Sequence, residues 1–193
     1  LPIGVGKGTR LFDALLKKDK VYEAEFAFGY ETDTLDGDGK IINFTDIVPS
    51  QSGIESKLTD FIGVIKQVPP LYSAKNVNGA RAYDLARKGV DFTLEAAEVE
   101  VYSFELEKKT GENTYLMRIH CSAGTYIRSL CRDLAYALSS LATMISIKRV
   151  RAGNFLAENA VTIDEVEKLG EACVIPLEVA LSDFPRFDLP ESE

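Results

Sequence analysis

The sequence predicts an α+β domain built on a mixed, largely antiparallel sheet flanked by helices. Two observations carry this expectation. Several segments alternate apolar and polar residues with the two-residue period of half-buried strands and meet at hairpin turns, and segments with helical spacing of apolar residues lie between them. With 193 residues, 46% of them hydrophobic, the chain can bury a sizeable core, and its length favours one domain or one domain plus a fragment.

From the start of the chain, Thr9 is placed to cap a helix in which Leu11, Phe12, Leu15 and Leu16 share a face. In "KVYEAEFAFGY" the apolar set Tyr22, Ala24, Phe26 and Phe28 alternates with Glu23, Glu25 and Ala27, a strand with Tyr22 facing inward at its start. The stretch "TDTLDGDGK" reads as a hairpin turn, with Ile41 and Ile42 resuming a strand. Its partial likeness to a calcium loop fails, because aligning Gly39 with the loop's glycine puts Thr34 first and Thr45 at the final Glu position.

Ser52 and Glu55 form a potential capping box ahead of a helix through Ile54, Leu58, Phe61 and Ile62. Two prolines then forbid regular structure in "QVPPLYSAKNVNGARAYDLARKG", which turns at Asn78-Gly79 and carries a short helix to Gly89. This reads as a basic excursion from the core. Residues 98–107 and 113–121 predict a hairpin, and Tyr115, Met117, Ile119 and Cys121 lie on one face of its second strand. A helix follows Thr125, burying Ile127, Leu130, Cys131, Leu134 and Leu138; "TMISIKRVRAG" is a further strand, and Thr162 with Glu165 caps a helix through Leu169.

Charge is distributed unevenly. The net charge of −8 belongs wholly to residues 154–193, while residues 1–153 balance 20 basic against 20 acidic side chains. The neutral body holds basic clusters at Lys17, Lys18 and Lys20, at Lys75, Arg81, Arg87 and Lys88, and at Lys148, Arg149 and Arg151. Set beside aromatic and glycine-rich segments, they suit phosphate contacts.

Cys121, Cys131 and Cys173 are too scattered for paired metal or redox motifs and read as reduced, mostly buried thiols. His120 is the sole histidine, and its strand position favours a structural role over a place in a nucleophilic triad. No metal and no cofactor is expected. "GVGKGT" lacks the spacing of a phosphate loop, since Lys7 is followed by glycine. No apolar run approaches the roughly 18 residues of a membrane span, and no signal-peptide pattern opens the sequence, so a cytoplasmic location is expected.

"HCSAGTYIRSL" raises a sharper question, because Tyr126 and Arg128 flank an inward Ile127 where a strand passes into a helix. Together with "KVYEAEFAFGYETDTLDGDG", "VPPLYSAKNVNGARAYDLARKG" and "SIKRVRAG", in that order and spacing, it resembles the TruB family of tRNA pseudouridine synthases over residues 1 to about 180.

The resemblance implies the pseudouridine synthase fold and conversion of a uridine in the TΨC stem-loop of tRNA to pseudouridine, by an enzyme expected to act as a monomer. A flipped uracil loses stacking, and an aromatic platform offsets about 1–3 kcal/mol of that cost. Tyr22 matches the family's base-stacking tyrosine, and Tyr126 and Arg128 match its G-T-Y-I-R motif, in which the arginine pairs with the catalytic aspartate. Ile147 matches an aliphatic wall of the base pocket. Catalytic roles are therefore expected for Arg128 and Tyr22, a base pocket from Tyr22, Tyr126 and Ile147, and RNA contacts from Lys20, Lys75, Arg81, Arg87, Lys88, Lys148 and Arg149.

The resemblance also implies a nucleophilic aspartate in a motif just upstream of the segment matching "LPIGVGKGTR", and a C-terminal PUA-type domain whose start "ALSDFPRFDLPESE" resembles. Asp33, Asp36, Asp38 and Asp133 have no matching context, the first three falling in the hairpin turn and the last in the helix after the motif. The expected division is a catalytic core over residues 1–175, N-terminally incomplete, with 69–90 as a basic RNA-gripping insertion, then the start of the PUA-type domain over 176–193. An alternative for the chain as written is an RNA-binding fragment without catalysis.

Overall fold

The computed structural model describes residues 1–77 and 79–185. Asn78 of the expected Asn-Gly turn and residues 186–193 of the expected C-terminal domain lie outside the described residues.

A 3-10 segment over Gly6–Leu11 leads into α1 (Phe12–Leu16). Thr9 does not cap it. The Thr9 hydroxyl lies within the 3-10 segment and donates to the Gly6 carbonyl at 2.9 Å, closing the preceding turn instead. β1 (Lys20–Phe28) follows, with Ala24, Phe26 and Phe28 buried as the alternation predicts. β2 (Tyr30–Thr32) and β3 (Ile41–Phe44) form a separate two-stranded sheet around the "TDTLDGDGK" turn.

α2 (Gln51–Leu58) starts two residues earlier than the Ser52–Glu55 capping box requires. Its cap is Ser50, whose hydroxyl accepts from the Gly53 N–H at 3.2 Å. The Glu55 carboxylate that the box needs is occupied instead by the Gln51 amide, one turn away at 2.8 Å.

β4 (Gly63–Gln67) was not legible as a strand, because its inward positions are Ile65 and a polar Gln67. It is an edge strand paired antiparallel to the later hairpin. The excursion after the prolines is a small hairpin, β5 (Asn76–Val77) and β6 (Ala80–Arg81), followed by α3 (Ala82–Arg87).

β7 (Ala97–Lys109) and β8 (Thr114–Cys121) form the predicted hairpin, and α4 (Ile127–Ala137) follows the G-T-Y-I-R stretch. β9 (Ala142–Ala152) and the short β10 (Phe155–Leu156) precede α5 (Ile163–Leu169), which carries the predicted Thr162–Glu165 capping box, and then α6 (Leu177–Ala180).

Six strands make one sheet in the order β10-β9-β1-β8-β7-β4, every neighbouring pair antiparallel. A parallel bridge from Asp36 to Met144 lays the β2–β3 turn along the start of β9. α4 packs on β9 and β1, and α2 on β7, so both cover one face of the sheet. Between the layers, Phe26 meets Phe104 edge-on at 6.2 Å and Phe104 meets Phe61 at 6.3 Å, beside fully buried Met117, Ile119, Leu130 and Leu134. The edge strand and α4 thereby become fixed mounts for the segments that leave them.

Candidate active site

α4 begins at the motif singled out in the sequence, and its alternation of burial explains the order Tyr126-Ile127-Arg128. Ile127 is 4% exposed and plugs the core, which leaves Arg128 one position on to reach sideways out of it. Both terminal nitrogens of its guanidinium are held. Nη1 donates to the Thr34 carbonyl and to Asp36 Oδ2, each at 2.9 Å, and Nη2 donates to the Tyr72 carbonyl at 2.8 Å. Three distant segments therefore converge on one cation: the β2–β3 turn, the proline-rich excursion and the start of α4.

The sequence presents Asp36 only as a turn residue. The turn is in fact built to aim it. Thr34 Oγ1 donates to Asp36 Oδ1 at 2.6 Å, and the Asp38 N–H reaches the same oxygen at 3.3 Å, leaving Oδ2 for Arg128. Asp33 Oδ1 accepts from the Lys40 N–H at 2.8 Å, closing the turn across its base. No spacing in the sequence distinguishes Asp36 from Asp33 or Asp38, because its partner lies 92 residues away.

Tyr22 and Ile147 come together by strand register. β1 and β9 pair Tyr22 with Arg149 and Ala24 with Ile147, so Tyr22, Ile147 and Arg149 share one face. The Arg149 guanidinium carbon stands 5.3 Å from the centre of the Tyr22 ring, a cation–π arrangement. Burial pushes the Tyr22 phenol up, outweighing the opposing charge of Arg149, and keeps it neutral. Ile147 is 47% exposed, unlike the core position a strand would ordinarily give it. It shares a shallow cavity of about 210 Å³ with Asp36, Asp38 and Met144, which links the Tyr22 face to the aspartate that holds Arg128.

Tyr126 is the residue before α4, in extended conformation, and its backbone is bound by Gln67. It lines a second cavity of about 140 Å³ with Pro69, Lys75 and Gly124. Lys75, Arg81, Arg87 and Lys88 are all exposed on the excursion. Arg87 lies over the Tyr83 ring at 5.5 Å, and Arg81 donates to the Ala74 carbonyl at 2.6 Å, so both are partly anchored within it.

Two of the sequence-selected cations stand apart. Lys20 is 9% exposed, and its ammonium donates to the carbonyls of Leu16 and Lys18, fastening the turn before β1. Burial and the nearby Arg149 charge both lower its pKa. Lys148 is opposite Glu23 in the register, on the face away from Tyr22 and Arg149. His120 has the structural surroundings expected of it: its ring bonds to Asp19, which also accepts from Arg151 at 2.6 Å.

Two family models match the chain in succession: "TruB family pseudouridylate synthase (N terminal domain)" over residues 1–127 and "tRNA pseudouridylate synthase B C-terminal domain" over residues 128–182. The tRNA pseudouridine synthase B of Borreliella afzelii (strain PKo) is 42% identical over 190 residues, covering 98% of this chain and 66% of the relative. That of Clostridium perfringens (strain SM101 / Type A) is 37% identical over 193 residues, with 99% and 66% covered. The chain thus spans just under two thirds of these relatives' length. Among solved structures, a Cbf5-Nop10-Gar1 complex superposes with a TM-score of 0.65 at 26% identity, covering 92% of this chain and 47% of that one. An H/ACA RNP bound to a substrate RNA containing 2'-deoxyuridine gives 0.59 at 23% identity, covering 86% and 39%, a likeness of fold alone. No described helix is long and apolar enough to cross a membrane.

Proposed function

The chain belongs to the TruB family of pseudouridylate synthases, and on that premise we propose that the protein isomerises a uridine in the TΨC stem-loop of tRNA to pseudouridine. The observation that carries the proposal is the convergence on Arg128. A guanidinium held at fixed distances by Asp36, Thr34 and Tyr72 is joined through Asp36 to the cavity lined by Ile147, which the strand register places on the same face as Tyr22.

The reaction breaks the bond from N1 of uracil to the ribose C1′, turns the base and joins C5 to C1′. The C5 proton is lost and N1 gains one, so no redox partner is needed. This chain's residues serve the base and its surroundings. Tyr22 offers a ring for the flipped uracil and Ile147 an apolar wall, and the family motif assigns Tyr126 the second aromatic side, although in this structure Tyr126 lines the separate cavity with Pro69, Lys75 and Gly124. Arg128 supplies the fixed positive charge that keeps a reacting carboxylate ionised and oriented. The family resemblance assigns that carboxylate to residues ahead of those matching Leu1–Arg10.

Lys75, Arg81, Arg87 and Lys88 on the 69–90 insertion, with Arg149 beside Tyr22, are the phosphate contacts this geometry favours. The catalytic core is taken as residues 1–175, and 176–193 as the start of the PUA-type domain. The protein works in the cytoplasm as a monomer.

The test is pseudouridine formation in tRNA by the full-length protein, read at nucleotide resolution, in wild type and Arg128→Ala. Modification of one TΨC-loop uridine by wild type, with loss of most turnover but retained tRNA affinity in the variant, is expected. A wild type that modifies no tRNA uridine defeats the reading, and wild-type turnover in Arg128→Ala removes the role given to that residue.

A further inference from the structure

Gln67 ends the edge strand β4 and is 1% exposed, the one amide among the largest fully buried side chains of the described residues. Both ends of that amide are spent on a single residue. Nε2 donates to the Tyr126 carbonyl at 3.1 Å, and the Tyr126 N–H donates to Oε1 at 2.8 Å. A buried amide is costly unless both its donor and its acceptor are met, and here both are. An apolar side chain would fill the position without that requirement, so the amide specifies geometry more than stability.

The Tyr126 peptide is where that geometry matters. Its carbonyl also accepts from the Leu130 N–H at 3.1 Å, the first hydrogen bond of α4, and no side chain caps the helix. Fixing both peptide planes that flank the Tyr126 Cα, 125–126 through its N–H and 126–127 through its carbonyl, fixes the direction from which Tyr126 leaves the strand and from which Arg128 leaves the helix. Neighbouring contacts extend the seam. The Val68 carbonyl accepts from Ser129 Oγ at 2.8 Å and from Arg132 Nη2 at 3.0 Å, and the Tyr72 carbonyl accepts from Arg128. Residues 67–72, the root of the basic insertion, are thereby stitched to residues 126–132.

We propose that Gln67 is a positioning residue for uridine isomerisation: its amide clamps the Tyr126 peptide and so holds Tyr126 and Arg128 in register with the insertion that grips RNA. This rests on the pseudouridine synthase reading above. Gln67 touches neither base nor ribose; it acts through the peptide it holds.

The substitution Gln67→Glu gives a readout that simple loss of packing does not. An ionised carboxylate accepts from the Tyr126 N–H but cannot donate to the Tyr126 carbonyl; the protonated acid does both. In single-turnover assays of the full-length protein on tRNA, the rate of Gln67→Glu relative to wild type rises at least fivefold from pH 8.5 to pH 6. Gln67→Met loses at least tenfold in rate at every pH, with tRNA Kd within twofold of wild type. A wild-type rate in Gln67→Met, or a pH-independent ratio for Gln67→Glu, overturns the proposal. If Gln67→Met does not fold, the Glu ratio decides alone. If neither folds, Gln67→Ala, which removes both bonds to Tyr126, must lose at least tenfold in rate, and a wild-type rate there overturns it. Amide hydrogen exchange without RNA separates this proposal from the functional reading. The Tyr126 amide exchanges at least tenfold faster in Gln67→Met, or in Gln67→Ala if that is the folded variant, than in wild type; unchanged protection overturns the clamp even if wild type modifies no tRNA.

Discussion

Arg128 Nη1 and Asp36 Oδ2 lie 2.9 Å apart across 92 residues of sequence, with both side chains partly shielded from water. A charge-assisted bond of this kind contributes about 1.5–3 kcal/mol. Asp36→Asn keeps the shape and removes the charge, so the guanidinium keeps its two carbonyl partners but loses its anion. The expected outcome is a single-turnover rate about 10- to 100-fold lower, with tRNA affinity within twofold of wild type by filter binding. An unchanged rate would show that Asp36 holds the turn but not the site.

Gly39 is where the same turn can be distorted without touching either charged residue. A Cβ there would lie 2.3 Å from Thr34 Oγ1, 2.7 Å from Asp33 Oδ1 and 2.9 Å from Thr32 Cβ. Thr34 Oγ1 is the hydroxyl that holds Asp36, so making room for a methyl releases that carboxylate. Gly39→Ala should lower Tm by about 2–12 °C, from an overpacking cost of about 1–3 kcal/mol. Its rate loss should not add to that of Asp36→Asn, because both act through one contact; full additivity in the double variant would refute the link.

These two positions show what the sequence could and could not reveal. Period-two and helical patterns located β1, β7, β8 and α4, because burial on one face is written locally in each of them; α5 buries no residue and was marked instead by its Thr162–Glu165 capping box, and β9 buries only its first three residues. Tyr22, Tyr126, Arg128 and Ile147 were reached through ordered motifs. Asp36, Gln67 and Ser50 were not. The role of Asp36 is made by a through-space pairing, Gln67 is a polar residue at an inward strand position that pattern reading discounts, and Ser50 wins the cap because Gln51 takes the carboxylate its rival needed. Lys20 was over-read for the opposite reason: local charge says nothing about whether an ammonium turns back onto its own chain.

Asp19 ties the start of β1 to β8 and β9 through His120 and Arg151. Burial alone would raise its carboxyl, but the hydrogen bonds from His120 and Arg151 and the Arg151 charge outweigh it and hold the pKa below the ordinary 3.8. A depressed carboxylate stabilises the fold above its unfolded pKa and loses that contribution as pH falls through the folded value. Asp19→Asn should therefore melt about 2–5 °C below wild type at pH 7, a modest figure because the cluster is partly solvated. The gap should close as pH drops below 3.8, and thermal melts across pH 2.5–7 would show it; a constant gap would mean the loss is steric.

The three thiols should divide by burial. Cys121 and Cys131 are 0% exposed, and burial pushes the Cys121 thiol up to about 11 and the Cys131 thiol well above its ordinary value. Cys173 is only partly covered. Because the thiolate is the reactive form, an aromatic disulfide reagent at pH 8 should consume one equivalent quickly in native protein and three in denaturant. Two or more fast equivalents would show that the core opens around Cys121 on β8 or Cys131 on α4.

Lys148 and Arg149 adjoin in sequence but belong to opposite faces of β9, Lys148 beside Glu23 and Arg149 over Tyr22. Both are exposed, so net charge alone would give them equal weight in holding RNA. Face predicts otherwise. A cation that touches a phosphate releases counterions on binding, and each such contact adds about 0.7–0.9 to the slope of log affinity against log salt. Arg149→Ala should weaken tRNA binding and reduce that slope by about one contact, whereas Lys148→Ala should leave the slope unchanged and affinity within twofold. Equal effects from the two substitutions would mean that RNA is held by diffuse charge around this edge of the sheet, and that the Tyr22 face has no special claim on the phosphate beside the flipped base.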